Sequence, residues 1–156
     1  MADQYHHGNL RQALIDAGIK IINESGEEAL SLRKAAAACN VSHAAPYAHF
    51  KDKDELMEAI KKSVTEQFTD ELEAAVKDAG NADESLIAMG RTYVSFFSRN
   101  PDYFTFLFGK QNIAAHLQMN KEFKDDYPPF LLLRTYYKKH LKENGIKLSA
   151  KSRRSR

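Results

Sequence analysis

Apolar side chains recur every three to four residues along most of the chain, the spacing that lines one face of an α-helix. No segment sustains the alternation of a half-buried strand. About seven helices are expected. The first follows Asn9 as N-cap, repeats apolar residues at Leu10, Ala13, Leu14, Ala17 and Ile21, and stops at Gly26. The second starts from Ser31 and runs through four alanines to Cys39, where small side chains allow close helix approach. Asn40 follows, the best residue after glycine for a positive φ, and a sharp turn is expected there. A third, short helix is predicted from Ser42 to about Phe50.

Asp52, with Glu55 three positions on, forms a capping box that opens the longest helix. Its apolar stripe is Leu56, Ile60, Val64, Phe68 and Leu72. After a loop at Lys77–Asn81, a fifth helix carries Leu86, Met89, Tyr93, Phe96 and Phe97. It ends before Asn100-Pro101, where proline suits the first turn of a sixth helix near Asp102–Phe108. A short helix around Ile113–Leu117 is an open alternative to loop. The last helix runs from Tyr127-Pro128-Pro129 to the stop at Asn144-Gly145, and the basic tail Lys151–Arg156 is expected to be disordered. The fold class is therefore all-α. An N-terminal three-helix unit spans 1–52, a helical effector-binding and dimerisation unit 53–145, and a tail 146–156.

Composition narrows the class without naming a function. With 156 residues, 43% hydrophobic and 28% charged, the chain fits one globular unit, or two small ones sharing a core. No run approaches the ~18 apolar residues of a membrane span, and the first residues lack an apolar signal segment, so no membrane contact and a cytoplasmic location are expected. The one cysteine, Cys39, excludes an intrachain disulfide and a zinc site of paired cysteines. The net charge of +2 hides an uneven distribution: −1 over residues 1–62, −5 over 63–109 and +8 over 110–156. Bulk charge does not nominate the N-terminal part for nucleic acid, so the case for DNA rests on a motif.

That motif is the pair of short helices at 31–50, joined by a tight turn at Asn40, which satisfies the helix-turn-helix pattern. The stretch Leu30-Ser31-Leu32-Arg33, Ala35-Ala36, Asn40-Val41-Ser42-His43-Ala44-Ala45-Pro46-Tyr47-Ala48-His49-Phe50 and Lys51-Asp52-Lys53-Asp54-Glu55-Leu56 closely resembles the N-terminal domain of the TetR/AcrR family of transcriptional regulators. The likeness spans residues 5–60 and is most specific in Tyr47-x-His49-Phe50-x-x-Lys53. Tyr5-His6-His7-Gly8-Asn9-Leu10 and Ser42–Tyr47 are similar to the WHG-domain branch, and Asn100-Pro101-Asp102-Tyr103-Phe104 with Leu107-Phe108 resembles, less specifically, its C-terminal domain. The resemblance implies a regulator, a repressor more often than an activator. It would bind a palindromic operator in double-stranded DNA as a homodimer and respond to a small molecule. The recognisable helices end near Gly145, so a C-terminally short member is expected.

Physical roles follow for the DNA side. His43, Ala44 and Ala45, at the start of the third helix, are expected at base edges, with alanine methyls against thymine methyls. Ser31, Arg33, Ser42, Tyr47 and His49 can donate to phosphate oxygens, and Lys53 adds a cation at the start of the long helix. Protonated histidine binds phosphate better, so affinity is expected to rise between about pH 7.5 and 6. Tyr47 could instead wedge the third helix against the first, whereas Phe50 is assigned to the core. Pro46 removes a backbone donor and sets the helix start at Ser42 or His43. Ala48 stands where the family often carries a basic residue, which removes one contact.

Further along, Tyr93, Phe97, Phe104, Phe108 and Tyr137 are candidates for an apolar or aromatic effector site, against a plain core reading of the same rings. The apolar face from Phe130 to Leu141 is expected to associate with a second copy. No cofactor or metal is implied: His6 and His7 lack a nearby carboxylate or cysteine at ligand spacing, and an N-terminal arm near DNA suits them better. Cys39 is read as packing. Without a phosphate loop, a nucleophile elbow or an acid pair, an enzyme is not expected. The rival reading is a helical interaction protein that binds acidic surfaces through its basic C-terminal third.

Overall fold

The computed structural model describes residues 9–108 and 127–147, with the side chains of Thr105 and Phe108 left aside. Six α-helices stand among these residues: α1 (Leu10–Ser25), α2 (Leu32–Ala38), α3 (Lys53–Val76), α4 (Ala82–Arg99), α5 (Pro101–Phe108) and α6 (Pro128–Glu143). Helix and turn account for the described fold, and the all-α class is established. The expected arm at His6 and His7, the helix near Ile113–Leu117 and the tail Lys151–Arg156 lie outside the described residues.

Residues 9–66 and 97–108 pack as one compact unit. Asn9 Oδ1 accepts the amide of Gln12 at 3.2 Å and caps α1, while Gly26 ends it at φ +78°, donating to Ile22 O at 2.8 Å. The buried face of α1 is Leu14, Ile15, Gly18 and Ile22, one position round from the expected stripe; Leu10, Ala13, Ala17 and Ile21 are only half-buried. The rotation centres α1 on Gly18, where the missing side chain admits the Ile60 methyl of α3. Leu30, Ala35, Ala36, Phe50, Leu56, Ile60 and Val64 complete this core. From α5, the Tyr103 hydroxyl meets the Asn23 side chain of α1; burial raises the phenol above its ordinary 10.0, the hydrogen bond lowers it, and nearby Asp16 raises it further.

One predicted element takes a different form. Residues 42–50, expected as an α-helix, hold a single 3₁₀ turn at Ala45–Ala48. The cause is Pro46: it has no amide to donate to Ser42 O, and that carbonyl instead accepts Ala45 N three residues on, at 3.0 Å. Tyr47 N to Ala44 O and His49 N to Pro46 O repeat the same short spacing, at 3.2 and 2.9 Å. The Pro46 ring is buried and fixes the turn to the core.

The second compact unit comprises residues 67–96 and 127–147. Phe68, Leu72 and Val76 of α3 and Ala82, Met89 and Phe96 of α4 are buried, each large side chain contributing roughly 1.5–3 kcal/mol. Phe68 packs at a tilt 4.9 Å from Phe96 and edge-on 5.7 Å from Tyr93. Asn81 caps α4 through Glu84 N at 2.9 Å, and Glu84 reaches back to Gly80 N at 2.8 Å. The C-terminal end of α6 is tied to this corner: Glu143 accepts Ala82 N at 2.9 Å, and His140 Nδ1 pairs with Asp83.

Candidate nucleic-acid interface

The site is built by the way α2 begins and ends. Ser31 Oγ accepts Lys34 N at 3.2 Å and starts the helix. At its end Asn40 N donates to Ala37 O at 3.1 Å and Val41 N to Ala36 O at 3.0 Å, the paired bonds of a Schellman motif. That motif needs a left-handed residue, and Asn40 takes it at φ 55°, the one non-glycine residue with positive φ among those described. The chain therefore leaves α2 abruptly and enters the 3₁₀ turn within a few residues. Cys39, Pro46 and Phe50 point into the core and hold the turn from beneath.

What remains faces outward. Ser42, His43, Ala44 and Tyr47 are exposed, with Tyr47 at 58% while Phe50 is at 1%. The two aromatic residues are thus sorted: Phe50 belongs to the core, and Tyr47 does not wedge the turn inward. Ala45 and His49 are half-buried at its edges. Arg33, in the first turn of α2, is exposed, and Ser31 is half-buried, its oxygen engaged by Lys34 N and its hydroxyl proton able to donate. Lys53 opens α3, but its Nζ reaches back to Glu27 O at 3.3 Å. Asp52 caps α3 through Glu55 N at 3.0 Å, and Glu55 in turn accepts Lys51 N at 2.6 Å, one residue before the expected capping-box partner.

Sequence reasoning passed over Arg11. Its guanidinium lies 5.1 Å from the centroid of the Phe50 ring, a cation–π contact between residues distant in sequence. A legible hint was the first turn of α1, which carries a cation and no acidic residue.

The five candidate effector residues divide between the two units. In the first, Phe97 is buried and meets Phe104, 43% exposed, edge-on at 5.5 Å. The side chain of Phe108 lies outside the described residues. In the second unit Tyr93 is 40% exposed, and desolvation of its hydroxyl raises that phenol above 10.0. Tyr137, 45% exposed, stacks on His140 at 6.4 Å.

A capped small-residue helix, a left-handed asparagine and an outward-facing turn on a buried Pro–Phe floor define a helix-turn-helix element. Residues 14–60 match the family model for bacterial regulatory proteins, tetR family. The chain is 38% identical over 78 residues to the HTH-type nicotine-responsive transcriptional repressor HdnoR of Paenarthrobacter nicotinovorans, covering 50% of this chain and 39% of that protein. It is 30% identical over 112 residues to the HTH-type transcriptional regulator BetI of Rhizobium meliloti (strain 1021), covering 72% and 51%. Among solved structures, a putative transcriptional regulator from Pseudomonas aeruginosa PAO1 superposes with TM-score 0.69 at 20% identity over 93% of this chain and 73% of that one. A protein with unknown function from Rhodococcus sp. RHA1 does so with TM-score 0.62 at 26% identity, over 93% and 88%. Residues 14–60 belong to the tetR family of bacterial regulatory proteins. The chain spans about half the length, or less, of the curated relatives it matches. No helix among the described residues is long and apolar enough to cross a membrane.

Proposed function

We propose that this chain is a sequence-specific DNA-binding transcriptional regulator that places the turn 42–50 in the major groove. The observation that carries the reading is the sorting of that turn. Pro46 and Phe50 are locked into the core, while Ser42, His43, Ala44 and Tyr47 face solvent from a fixed backbone. In this reading His43, Ala44 and Ala45 meet base edges, and Ser31, Arg33, Ser42, Tyr47 and His49 hold phosphates. Lys53 contributes by leaving Glu27 O for a phosphate, a change that costs one exposed hydrogen bond.

Residues 1–52 form the DNA-binding part, and 53–145 the part that takes an effector and pairs two copies. The relatives named above include a nicotine-responsive repressor, which supports repression and small-molecule control here. Leu133 and Tyr137, each 45% exposed on one stripe of α6 with the half-buried Phe130 and Leu141, support a homodimer through that helix. In a dimer the two recognition turns must reach major grooves about 34 Å apart, and an effector acts by changing that separation.

Selection of bound duplexes from a random pool at ~150 mM salt tests the reading, because nonspecific phosphate attraction is partly suppressed there. Enrichment of a palindrome is expected. A single enriched half-site would remove the dimer, and no enrichment would remove sequence-specific regulation.

A further inference from the structure

Arg11 stands in an electrostatic setting that folding alone does not favour. It lies in the first turn of α1, at the positive end of the helix, and that turn has no acidic residue to balance it. Among the described residues no carboxylate comes within ion-pair distance of its guanidinium; the nearest acid along the helix, Asp16, accepts Gln12 Nε2 at 2.9 Å. Its contact is instead the Phe50 ring, 5.1 Å from the guanidinium carbon. That ring is 1% exposed, and the backbone beneath it is fixed by Phe50 N and His49 N, both donating to Pro46 O at 2.9 Å.

A guanidinium held over an aromatic ring keeps N–H donors for an acceptor, and their fork suits the oxygens of a phosphodiester. Arg11 remains exposed, and the residue after Phe50 is the exposed Lys51. A fixed, unbalanced cation thus borders the end of the turn that presents Tyr47 and His49.

We propose that Arg11 is a contact to the DNA backbone, with Phe50 as the residue that positions it. The inference rests on the DNA-binding reading above and adds to it a phosphate site contributed by α1. Bending over Phe50 makes the position of this cation depend on the recognition turn itself, so base-edge register and backbone grip are set by one piece of structure. Because a phosphate contact carries no sequence information, the effect extends to any duplex.

The test uses the whole chain and a labelled mixed-sequence duplex, titrated between about 50 and 200 mM salt. For R11Q the slope of log affinity against log salt is expected to fall by about 0.9 per bound copy, which corresponds to roughly eightfold in affinity for each tenfold change in salt. R11K keeps the charge but not the guanidinium fork; its slope should match the parent while its affinity falls. Thermal unfolding followed by circular dichroism checks that the variants fold. Should R11Q fail to fold, R11K carries the test, and an affinity equal to the parent's overturns the proposal. R11Q with the parent's slope and affinity overturns the Arg11 assignment and leaves the DNA reading intact. A parent chain that binds no duplex at any of these salts overturns the DNA reading, and the Arg11 site with it.

Discussion

Two glycines sit inside long helices, and replacing each by alanine should move stability in opposite directions. At Gly90 in α4, an added Cβ meets nothing within 4 Å and the residue is exposed. Gly90→Ala therefore gains only the helix preference of alanine, about 1 kcal/mol. At Gly18 in α1 the same gain is opposed. The new Cβ collides with Ile60 Cδ1 and stands 3.4 Å from both Ile60 Cγ1 and Leu30 Cδ1, while Ile60 and Leu30 are 1% and 2% exposed and have nowhere to retreat. Overpacking of this kind costs about 1–3 kcal/mol, so Gly18→Ala should be destabilising by up to about 2 kcal/mol net. Ile60→Val removes the colliding methyl. Alone it costs about 0.5–1.5 kcal/mol, but combined with Gly18→Ala the alanine fills the vacated space, and the double variant should recover at least about 1 kcal/mol of the summed loss. Urea unfolding followed by circular dichroism measures the four variants against the parent. If Gly18→Ala stabilises as much as Gly90→Ala, or if the pair is additive within about 0.5 kcal/mol, the close approach of α1 and α3 at this point is not what limits the core.

Tyr103 predicts an alkaline weakness. Its folded phenol is raised above 10.0, so its contribution is complete below that value and is lost as pH rises through the folded one; Tyr103→Phe should cost about 1 kcal/mol at neutral pH and flatten the unfolding profile above pH 10. Phe68→Ala, which empties the space beside Tyr93 and Phe96, should cost about 3–5 kcal/mol in thermal or urea unfolding; a loss below about 1 kcal/mol would contradict the packing described for the second unit. At the corner joining α4 and α6, Glu143→Ala should cost about 1 kcal/mol because Ala82 N loses its acceptor. Lys139→Ala, which removes the exposed 3.7 Å pair to the same carboxylate and a cation–π contact to Tyr136 at 5.9 Å, should stay within about 0.5 kcal/mol, and equal losses would remove the distinction. Deleting residues 146–156 should leave the site preference of DNA binding intact, whereas loss of nearly all binding would favour an acidic-surface protein acting through its basic end.

The sequence was most informative where one residue type has one use. Asn9, Ser31 and Asp52 cap helices because their side-chain oxygens reach an amide three residues on, and Gly26, Asn40 and Gly145 end helices because few residues tolerate a positive φ. The stripe Leu56, Ile60, Val64, Phe68 and Leu72 is buried throughout, since a period so regular leaves one face to hide. Family membership was legible for the same reason: the Tyr-x-His-Phe segment and its capped neighbour form a local pattern.

Tertiary structure decided what depends on residues far apart. Pro46 was visible, and its missing amide is a local reason for a 3₁₀ turn, yet that its ring would be buried and fix the turn to the core is something no local preference states. Phe50 was assigned to the core from sequence, but Tyr47 stood open between core and surface, and only packing sent it outward. The inward face of α1 turned by one position because Gly18 admits Ile60, and Arg11 came to lie over Phe50 for the same nonlocal reason. Period and caps determine that a helix forms; which side it buries is set by the volume that its neighbours leave.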